Sequence, residues 1–266
     1  LSVLGSCLRI NGDLDESFKI VNKVISRDPQ NSEAYINRGL IWLNKDEKRK
    51  AQADLENAHR LKPHLTAIWD LLVKLKMDLS QFKETIELIE TFIEIDPTNS
   101  ENFEKMAFCH LQLSQLDNAI AAYKKAIDIN PQNPDAYINL GVLYEKLGKL
   151  SEAFQIYDSL ITRQPLNIPA LNNKGNVLQK LGNYAAAVAT YKILLRLEPN
   201  HHAAYLNMGL AENKLGNFAD AVNAYQHAVS LKPDDPVARY NLGVNLAAME
   251  QLEQAVHAYK GVISID

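Results

Sequence analysis

The chain has 266 residues, of which 47% are hydrophobic and 23% are charged, and its formal net charge is −4 at pH 7. This composition is typical of a folded protein with a large buried interior and excludes an intrinsically disordered chain. The scattered Lys and Arg residues disfavour a nucleic-acid partner, because neutralising phosphates needs clustered basic side chains.

Membrane and export signals are absent from the sequence. No apolar run approaches the roughly 18 residues that a membrane-spanning helix needs. The N-terminus lacks the basic segment and apolar core that a signal peptide requires. We therefore expect a soluble chain without membrane insertion and, by default, a cytoplasmic location. Because the sequence begins at Leu1 without an initiator Met, a preceding targeting segment stays an open alternative.

Seven prolines divide the chain at a constant interval of 34 residues. They are Pro29, Pro63, Pro97, Pro131, Pro165, Pro199 and Pro233. Proline cannot continue a helix, because it lacks the backbone donor and clashes with the preceding turn. The spacing therefore predicts that a helix ends at the same place in every 34-residue unit.

Setting each proline as position 32 of its unit defines the repeats in chain order. A partial repeat at 1–31 precedes full repeats at 32–65, 66–99, 100–133, 134–167, 168–201 and 202–235, and a partial repeat at 236–266 follows. A repeat array grows along one axis and does not need to divide into separate globular domains as it lengthens. We predict one array over residues 1–266.

Small residues recur at three positions of the unit. Position 8 holds Gly5, Gly39, Gly141, Gly175, Gly209 and Gly243; position 20 holds Ala51, Ala119, Ala153, Ala187, Ala221 and Ala255; position 15 holds Gly12, Gly148, Gly182 and Gly216. Glycine at position 15 can take the left-handed conformation that ends a helix. The pattern predicts a helix hairpin in which the glycine at position 8 packs against the alanine at position 20.

Residues 134–167 carry the fullest set of repeated positions. These are Tyr137, Leu140, Gly141, Tyr144, Gly148, Ala153, Tyr157 and Pro165. A 34-residue helix-turn-helix unit with this pattern resembles the tetratricopeptide repeat, and the resemblance covers the whole chain. It implies an all-α fold, a right-handed superhelical solenoid of helix-turn-helix hairpins. In such a solenoid the first helices line a concave groove and the second helices cover the convex side.

Repeat 66–99 departs most from this pattern. Val73 replaces the glycine, Lys76 an aromatic residue and Thr85 the alanine, while Phe92 stands at a usually small position. Bulkier groups at close contacts should push the two helices apart, so we predict a local change of curvature there. Arg38 in repeat 32–65 and Lys174 in repeat 168–201 are lesser departures, and we expect their stems to pack while their charges reach solvent.

Function in this family normally lies on the groove face, at positions 2, 5, 6, 9, 12 and 13 of the first helix. Position 6 holds Asn37, then Leu71 and Lys105, and then four asparagines in succession: Asn139, Asn173, Asn207 and Asn241. An amide offers a donor and an acceptor, so such a ladder can pair with the backbone of an extended peptide of any sequence. The ladder is similar to those in the superhelical repeats of the O-linked N-acetylglucosamine transferases.

Further polar residues extend the predicted peptide site. Lys146, Lys180 and Lys214 stand seven residues after ladder asparagines and so on the same helix face, which suits a mildly acidic segment. Asn172 and Asn176 add amides around Asn173, which places the predicted centre of the site in repeat 168–201. The alternative is that Asn at position 6 and Lys at position 13 are only consensus residues of the family.

The first helices of the N-terminal half carry a different set of groove residues. Asp70, Asp78, Glu101 and Glu104 stand there beside Lys74 and Lys105. The groove is therefore expected to have two halves of unlike character.

No catalytic, cofactor or metal motif stands out in the sequence. Cys7 and Cys109 are 102 residues apart, or three repeats, too far for a disulfide, so both are expected to be free. The seven histidines lack metal-site spacing, and His201 and His202 are expected to be solvated in a turn between repeats. We predict no enzyme activity, no cofactor and no metal.

Two functions remain open from the sequence alone. The first is a non-catalytic protein–protein interaction scaffold or adaptor that binds an extended polypeptide in its concave groove. The second is a substrate-recognition or regulatory arm of a larger enzyme such as a glycosyltransferase. Leu1 at position 4 and Asp266 at position 31 suggest an array cut through repeats. The last helix would then have apolar residues with no following helix to cover them: Val256, Tyr259, Val262 and Ile263. These residues would allow end-to-end self-association.

Overall fold

A computed structural model of the protein describes the backbone of residues 2–263 and the side chains of residues 3–262. Leu1 and Asp266, to which the expectation of a cut array refers, lie outside the described residues. The chain divides into two compact units, Leu1–Ile129 and Asn130–Asp266. That all 266 residues form one array stays a prediction.

The first unit contains four helix hairpins. Its helices are α1 (Ser2–Asn11), α2 (Leu14–Arg27), α3 (Ser32–Asn44), α4 (Lys48–Leu61), α5 (Thr66–Asp78), α6 (Phe82–Ile95), α7 (Ser100–Gln112) and α8 (Leu116–Ile129). The second unit contains four more. Its helices are α9 (Pro134–Lys146), α10 (Leu150–Arg163), α11 (Ile168–Lys180), α12 (Tyr184–Leu197), α13 (His202–Lys214), α14 (Phe218–Leu231), α15 (Pro236–Ala248) and α16 (Leu252–Ile263).

The helix ends follow the repeat register. Each of the seven spaced prolines lies two residues beyond the end of a second helix, as at Arg163 and Pro165. The eight hairpin turns within residues 2–263 all place position 15 at positive φ, from 58° at Asp46 to 93° at Gly12. The sequence prediction of an all-α fold built from helix-turn-helix hairpins is therefore confirmed. No helix within the described residues is long and apolar enough to cross a bilayer.

Position 34 supplies the cap that starts most first helices. The Asn167 side chain accepts a hydrogen bond from the Ala170 amide at 3.0 Å, and Asn31 accepts one from Ala34 at the same distance. His201 takes this role at α13, where its Nδ1 lies 3.1 Å from the Ala204 nitrogen. Such caps satisfy backbone donors that have no partner inside the helix. His201 lies in the turn between repeats, as expected, and is half-buried there, but the sequence did not predict its role as a cap.

The glycine at position 8 packs against a different residue from the one predicted. A Cβ added at Gly175 would lie 2.5 Å from the Tyr191 ring, and one at Gly209 would lie 2.8 Å from the Tyr225 ring. Both tyrosines occupy position 24 of the second helix and are buried. At these glycines the packing partner is therefore the aromatic ring at position 24, which fills the space that a side chain would take. At Gly39 that place is taken by Leu55, and the Ala51 carbonyl at position 20 also lies within 3.4 Å of the added Cβ.

Repeat 66–99 accommodates its bulkier position 8 by a matching change. Val73 is buried there, and position 24 holds Ile89 in place of the tyrosine. Trp69 stacks on Phe92 with ring centroids 4.9 Å apart, and its Nε1 donates to the Pro63 carbonyl at 2.7 Å. The repeat therefore has its own core packing. The predicted change of curvature stays a prediction.

Arg38 and Lys174, the charged residues at position 7, each form an ion pair within their own unit. Arg38 donates to both carboxylate oxygens of Asp54, at 2.7 and 2.8 Å, and Asp54 is 4% exposed. Lys174 lies 2.6 Å from Asp158. The expectation that the charge reaches solvent is wrong for Arg38, because its partner Asp54 is buried. The Lys174 pair stays partly exposed, since 48% of the Asp158 side chain is accessible.

The last helix leaves part of its apolar surface open. Val256 is exposed, whereas Tyr259 and Val262 are half-buried. The side chain of Ile263 lies outside the described residues. End-to-end self-association through α16 stays a prediction.

Candidate peptide-binding face

The four ladder asparagines lie on the first helices of the second unit, on α9, α11, α13 and α15. Their side chains fall into two classes. Asn173 hydrogen-bonds the buried Tyr157, and Asn207 hydrogen-bonds the half-buried Asn176. Asn139 is exposed and Asn241 is half-buried, and neither amide side chain has a hydrogen-bond partner among the residues that the structure describes. The ladder therefore combines structural and available amides.

Tyr191 on α12 is the centre of the first structural network. Its hydroxyl donates to Asn176 Oδ1 at 2.8 Å and accepts from Gln179 Nε2 at 2.9 Å. Asn207 Nδ2 donates to the same Asn176 oxygen at 2.9 Å, and Gln179 Nε2 also donates to the Asn207 carbonyl at 2.8 Å. Because a buried hydroxyl without a partner is costly, these amides stabilise the junction between two repeats.

Tyr157 on α10 is the centre of an equivalent network one repeat earlier. Its hydroxyl donates to Glu145 Oε1 at 2.9 Å, and the Asn173 side chain also hydrogen-bonds this hydroxyl. Lys180 Nζ lies 2.7 Å from Glu145 Oε2. Burial and the neighbouring Glu145 carboxylate raise the pKa of Tyr157 far above its ordinary value. The hydroxyl is thereby kept protonated as a donor.

The hydroxyl of Tyr191 contributes measurably to stability by this account. We expect Tyr191→Phe to lower the free energy of unfolding by about 1 to 2 kcal/mol, because Asn176 and Gln179 lose their shared partner. Tyr225→Phe is the matched control. Burial raises the pKa of Tyr225 to about 12, yet no hydrogen bond to its hydroxyl is seen within residues 3–262. Urea denaturation should show almost no change for the control, and equal losses in both variants would contradict the assignment.

The three lysines of the predicted site also divide into available and engaged side chains. Lys146 and Lys214 are exposed, and neither has a charged partner within the described part of the chain. Lys180 is held in its ion pair with Glu145. Two of the three ammonium groups are therefore open to a carboxylate of a partner.

The remaining predicted amides are less accessible. Asn37 in the first unit is buried on α3. Asn176 is committed to Tyr191 and Asn207. Asn172 is half-buried, and its Oδ1 is enclosed without a hydrogen-bond partner within residues 3–262. The predicted concentration of available amides in repeat 168–201 is therefore reduced, and free amides lie on either side of it.

Sequence reasoning missed Glu145 and Gln179 as organising residues of this face. Both stand at position 12 and contact the tyrosine at position 24 of their own repeat. The coincidence of a polar residue at position 12 with a tyrosine at position 24 was visible in the sequence. The contact itself required knowing which face of the second helix meets the first.

In the first unit the groove positions form an open charged cavity of about 380 Å³. It is lined by Asp70, Lys74, Met77, Asp78, Glu101 and Lys105. Lys105 Nζ lies 3.2 Å from Asp70 and 3.1 Å from Glu101. The structure thus brings together all of the charged residues expected here except Glu104. Lys105 pairs with two of the three lining carboxylates, and the third, Asp78, lies 3.6 Å from Lys48 outside the lining.

The cysteines and histidines agree only partly with expectation. Cys7 and Cys109 are both free, as predicted. Burial raises the pKa of the Cys109 thiol to about 11, which makes it unreactive at neutral pH. His202 lies 3.0 Å from Asp235 and is half-buried, so the expectation that it is solvated is wrong. No group of three metal-ligating side chains comes together in the described residues.

Comparison with known families agrees with the helix-hairpin repeats. Models described as TPR repeat or tetratricopeptide repeat match residues 1–31, 109–148, 134–165 and 172–236, together more than half of the chain. The chain belongs to the tetratricopeptide repeat family. The particular likeness of its asparagine ladder to that of the glycosyltransferases stays a prediction. None of the curated proteins compared with this chain matches it.

Solved structures with the same fold include three informative cases. The C-terminal part of a TPR repeat-containing protein from Cytophaga hutchinsonii is 17% identical, with a TM-score of 0.61 over 100% of this chain and 95% of that one. YrrB, described as a TPR protein with an unusual peptide-binding site, is 22% identical, with a TM-score of 0.58 over 67% and 92%. MamA from Desulfovibrio magneticus RS-1 is 20% identical, with a TM-score of 0.57 over 62% and 94%. At these identities the likeness shows a shared fold.

Proposed function

We propose that this protein is a non-catalytic interaction scaffold that binds an extended polypeptide segment on the first-helix face of residues 134–248. The observation that carries this proposal is the presence of unpartnered polar groups on that face. Asn139 and Asn241 supply free amides, and Lys146 and Lys214 supply free ammonium groups. The peptide-binding site named for YrrB, a protein of the same fold, supports the same kind of function.

The chemistry of these groups defines the partner. An amide side chain can accept from a backbone N–H and donate to a backbone carbonyl, so it binds an extended chain whatever its sequence. The free lysines add a preference for carboxylates, which complements a segment of mild negative charge. The amides of Asn173 and Asn207 serve a second purpose by holding the repeats on which this face is built.

Removing the two free amides should weaken peptide binding without unfolding the protein. We expect Asn139→Ala with Asn241→Ala to reduce affinity about tenfold on an array of acidic peptides, because each lost hydrogen bond is worth about 0.5 to 1.5 kcal/mol. The best array peptide should then be measured in solution by fluorescence polarisation, after circular dichroism shows equal helicity.

Two asparagines on second helices provide the matched control. Asn118 on α8 and Asn223 on α14 are both exposed. Changing both to alanine removes the same chemistry from the opposite side of the hairpins and should leave affinity unchanged. Equal binding by all three proteins, or equal loss in both variants, would count against a site on the first-helix face.

A further inference from the structure

Three apolar side chains are exposed beside the last ladder asparagine. Leu210 on α13 is 41% exposed, and Val237 and Tyr240 on α15 are 53% and 56% exposed. We call these three residues the apolar patch. Large apolar side chains left this open on a face that also carries free polar groups mark an interaction surface.

The register of the repeats places the patch against Asn241. In the preceding pair, Asn176 at position 9 of α11 hydrogen-bonds Asn207 at position 6 of α13, at 2.9 Å. One repeat later, positions 9 and 6 are Leu210 and Asn241. Leucine cannot supply the acceptor that Asn176 supplies, which explains why the Asn241 amide has no partner among residues 3–262. A free amide and an apolar side chain are therefore neighbours here.

Val237 joins the other two members of this surface along α15. It lies four residues before Asn241 and three before Tyr240, so it is one turn from both, while Tyr240 and Asn241 are about 100° apart around the helix on either side of its line. Tyr240 also packs near Tyr259, with ring centroids 6.0 Å apart, so its ring is supported from one side and open on the other. An aromatic surface held in this way suits a large apolar or aromatic side chain of a partner.

A free cation completes the arrangement. Lys214 stands four residues after Leu210, one turn along α13 on the same side, and is exposed without a charged partner in the described chain. A carboxylate near the apolar side chain of a bound segment would meet this ammonium group. The charge complementarity argues for an acidic segment of another protein over a neutral surface.

We infer that the apolar patch, Asn241 and Lys214 form a specificity pocket for an extended partner segment that carries a large apolar side chain close to an acidic residue. The inference rests on the proposed function, because the segment is the one whose backbone the free amides bind. It adds which side chain of that segment is selected. Repeat 168–201 has no such pocket, since its positions 5 and 9 are the amides Asn172 and Asn176.

The test replaces two residues of the apolar patch with the residue types that repeat 168–201 has at the same positions. Leu210→Asn with Tyr240→Asn converts positions 9 and 5 of their repeats to the residue types found in repeat 168–201. Both changed side chains are exposed, so folding should be preserved, and thermal denaturation checks this. The probes are synthetic dodecapeptides of Gly, Ser and Thr that carry one Phe or one Ser, each with two Asp or two Lys beside it.

The wild type should bind the Phe and Asp peptide about tenfold more tightly than the Ser and Asp peptide, since burying an aromatic ring contributes at least this much. The double variant should reduce that ratio to about twofold. Its affinity for the Ser and Asp peptide should fall by only about threefold to tenfold, because an amide at residue 210 can engage Asn241 as Asn176 engages Asn207, which costs one hydrogen bond to the peptide. Lys214→Ala should remove most of the preference for Asp over Lys peptides. A ratio that is unchanged in the double variant overturns the inference.

Other outcomes separate this inference from the proposed function. Amide-dependent binding with no preference for Phe leaves the function standing and overturns the pocket. If no probe binds the wild type at any composition, both fail. If the protein forms a dimer that Leu210→Asn with Tyr240→Asn dissolves, as measured by light scattering across concentrations, the patch is covered by a second copy, and the inference is also overturned.

Discussion

Arg38→Ala is expected to lower the free energy of unfolding by about 3 kcal/mol, because it leaves the Asp54 carboxylate buried without its counter-charge. Asp54 is almost fully buried, and both of its oxygens accept from the Arg38 guanidinium, at 2.7 and 2.8 Å. The hydrogen bond with Asp54 also raises the pKa of Arg38. The loss should appear as a lower urea midpoint at unchanged helicity in the native baseline.

A double replacement separates two effects on the free energy of unfolding: the cost of leaving one charge buried without its partner, and the net contribution of the ion pair. Arg38→Met with Asp54→Leu removes both charges and keeps apolar volume at the site. Replacing a buried ion pair in this way is commonly neutral or stabilising, so the double variant should recover most of the stability lost in Arg38→Ala. A double variant as unstable as the single one would show that packing of the Arg38 stem, rather than its charge, is what the repeat needs.

Gly175→Ala is expected to destabilise the protein by about 2 kcal/mol despite the better helix propensity of alanine. The new Cβ would lie 2.5 Å from the Tyr191 ring, and that ring is fully buried and held by the bonds of its hydroxyl to Asn176 and Gln179. Overpacking of this kind typically costs about 1 to 3 kcal/mol, which exceeds the propensity gain of about 0.5 to 1 kcal/mol. Urea denaturation measures the difference.

Gly39→Ala is the matched control within the same register. Its added Cβ would meet Leu55 at 3.1 Å, and a leucine side chain can move by the few tenths of an ångström required. We expect a change within about 1 kcal/mol, because the propensity gain offsets the tighter packing. The double variant Gly175→Ala with Tyr191→Ile imitates Val73 and Ile89 of repeat 66–99 and should cost less than the sum of its two single changes. Additive losses would argue against direct contact between positions 8 and 24.

The helix hairpins of this protein could be predicted from local sequence. Proline removes a backbone donor wherever it stands, so the spacing from Pro29 to Pro233 determined where seven helices end. The tight turn at position 15 was equally local, and Gly148 takes the positive φ that the pattern required. Even turns without glycine keep this geometry, as at Ser80, because the hairpin on either side demands it.

Other features depended on which side chains meet across helices. The packing partner of Gly175, the ion pairs of Arg38 and Lys174, and the cap at His201 were all predicted wrongly or incompletely from sequence. Each of these contacts joins residues that are distant in sequence, or it forms only in one side-chain rotamer. Periodicity identifies a helix face, but it does not say which atom of the facing helix lies within hydrogen-bonding distance.

The asparagine ladder shows the same division most clearly. The sequence by itself determined the family, the hairpin register and the alignment of Asn139, Asn173, Asn207 and Asn241 on one face. Only the tertiary structure decided which of these amides are available, because that depends on which polar groups of the preceding repeat lie within hydrogen-bonding distance. Tyr157 and Tyr191 engage Asn173 and Asn207, while Asn139 and Asn241 keep free amides for a partner. Identical residues at identical repeat positions therefore differ in role, because the preceding repeat supplies a hydrogen-bond partner such as Asn176 to some of them and an apolar residue such as Leu210 to another.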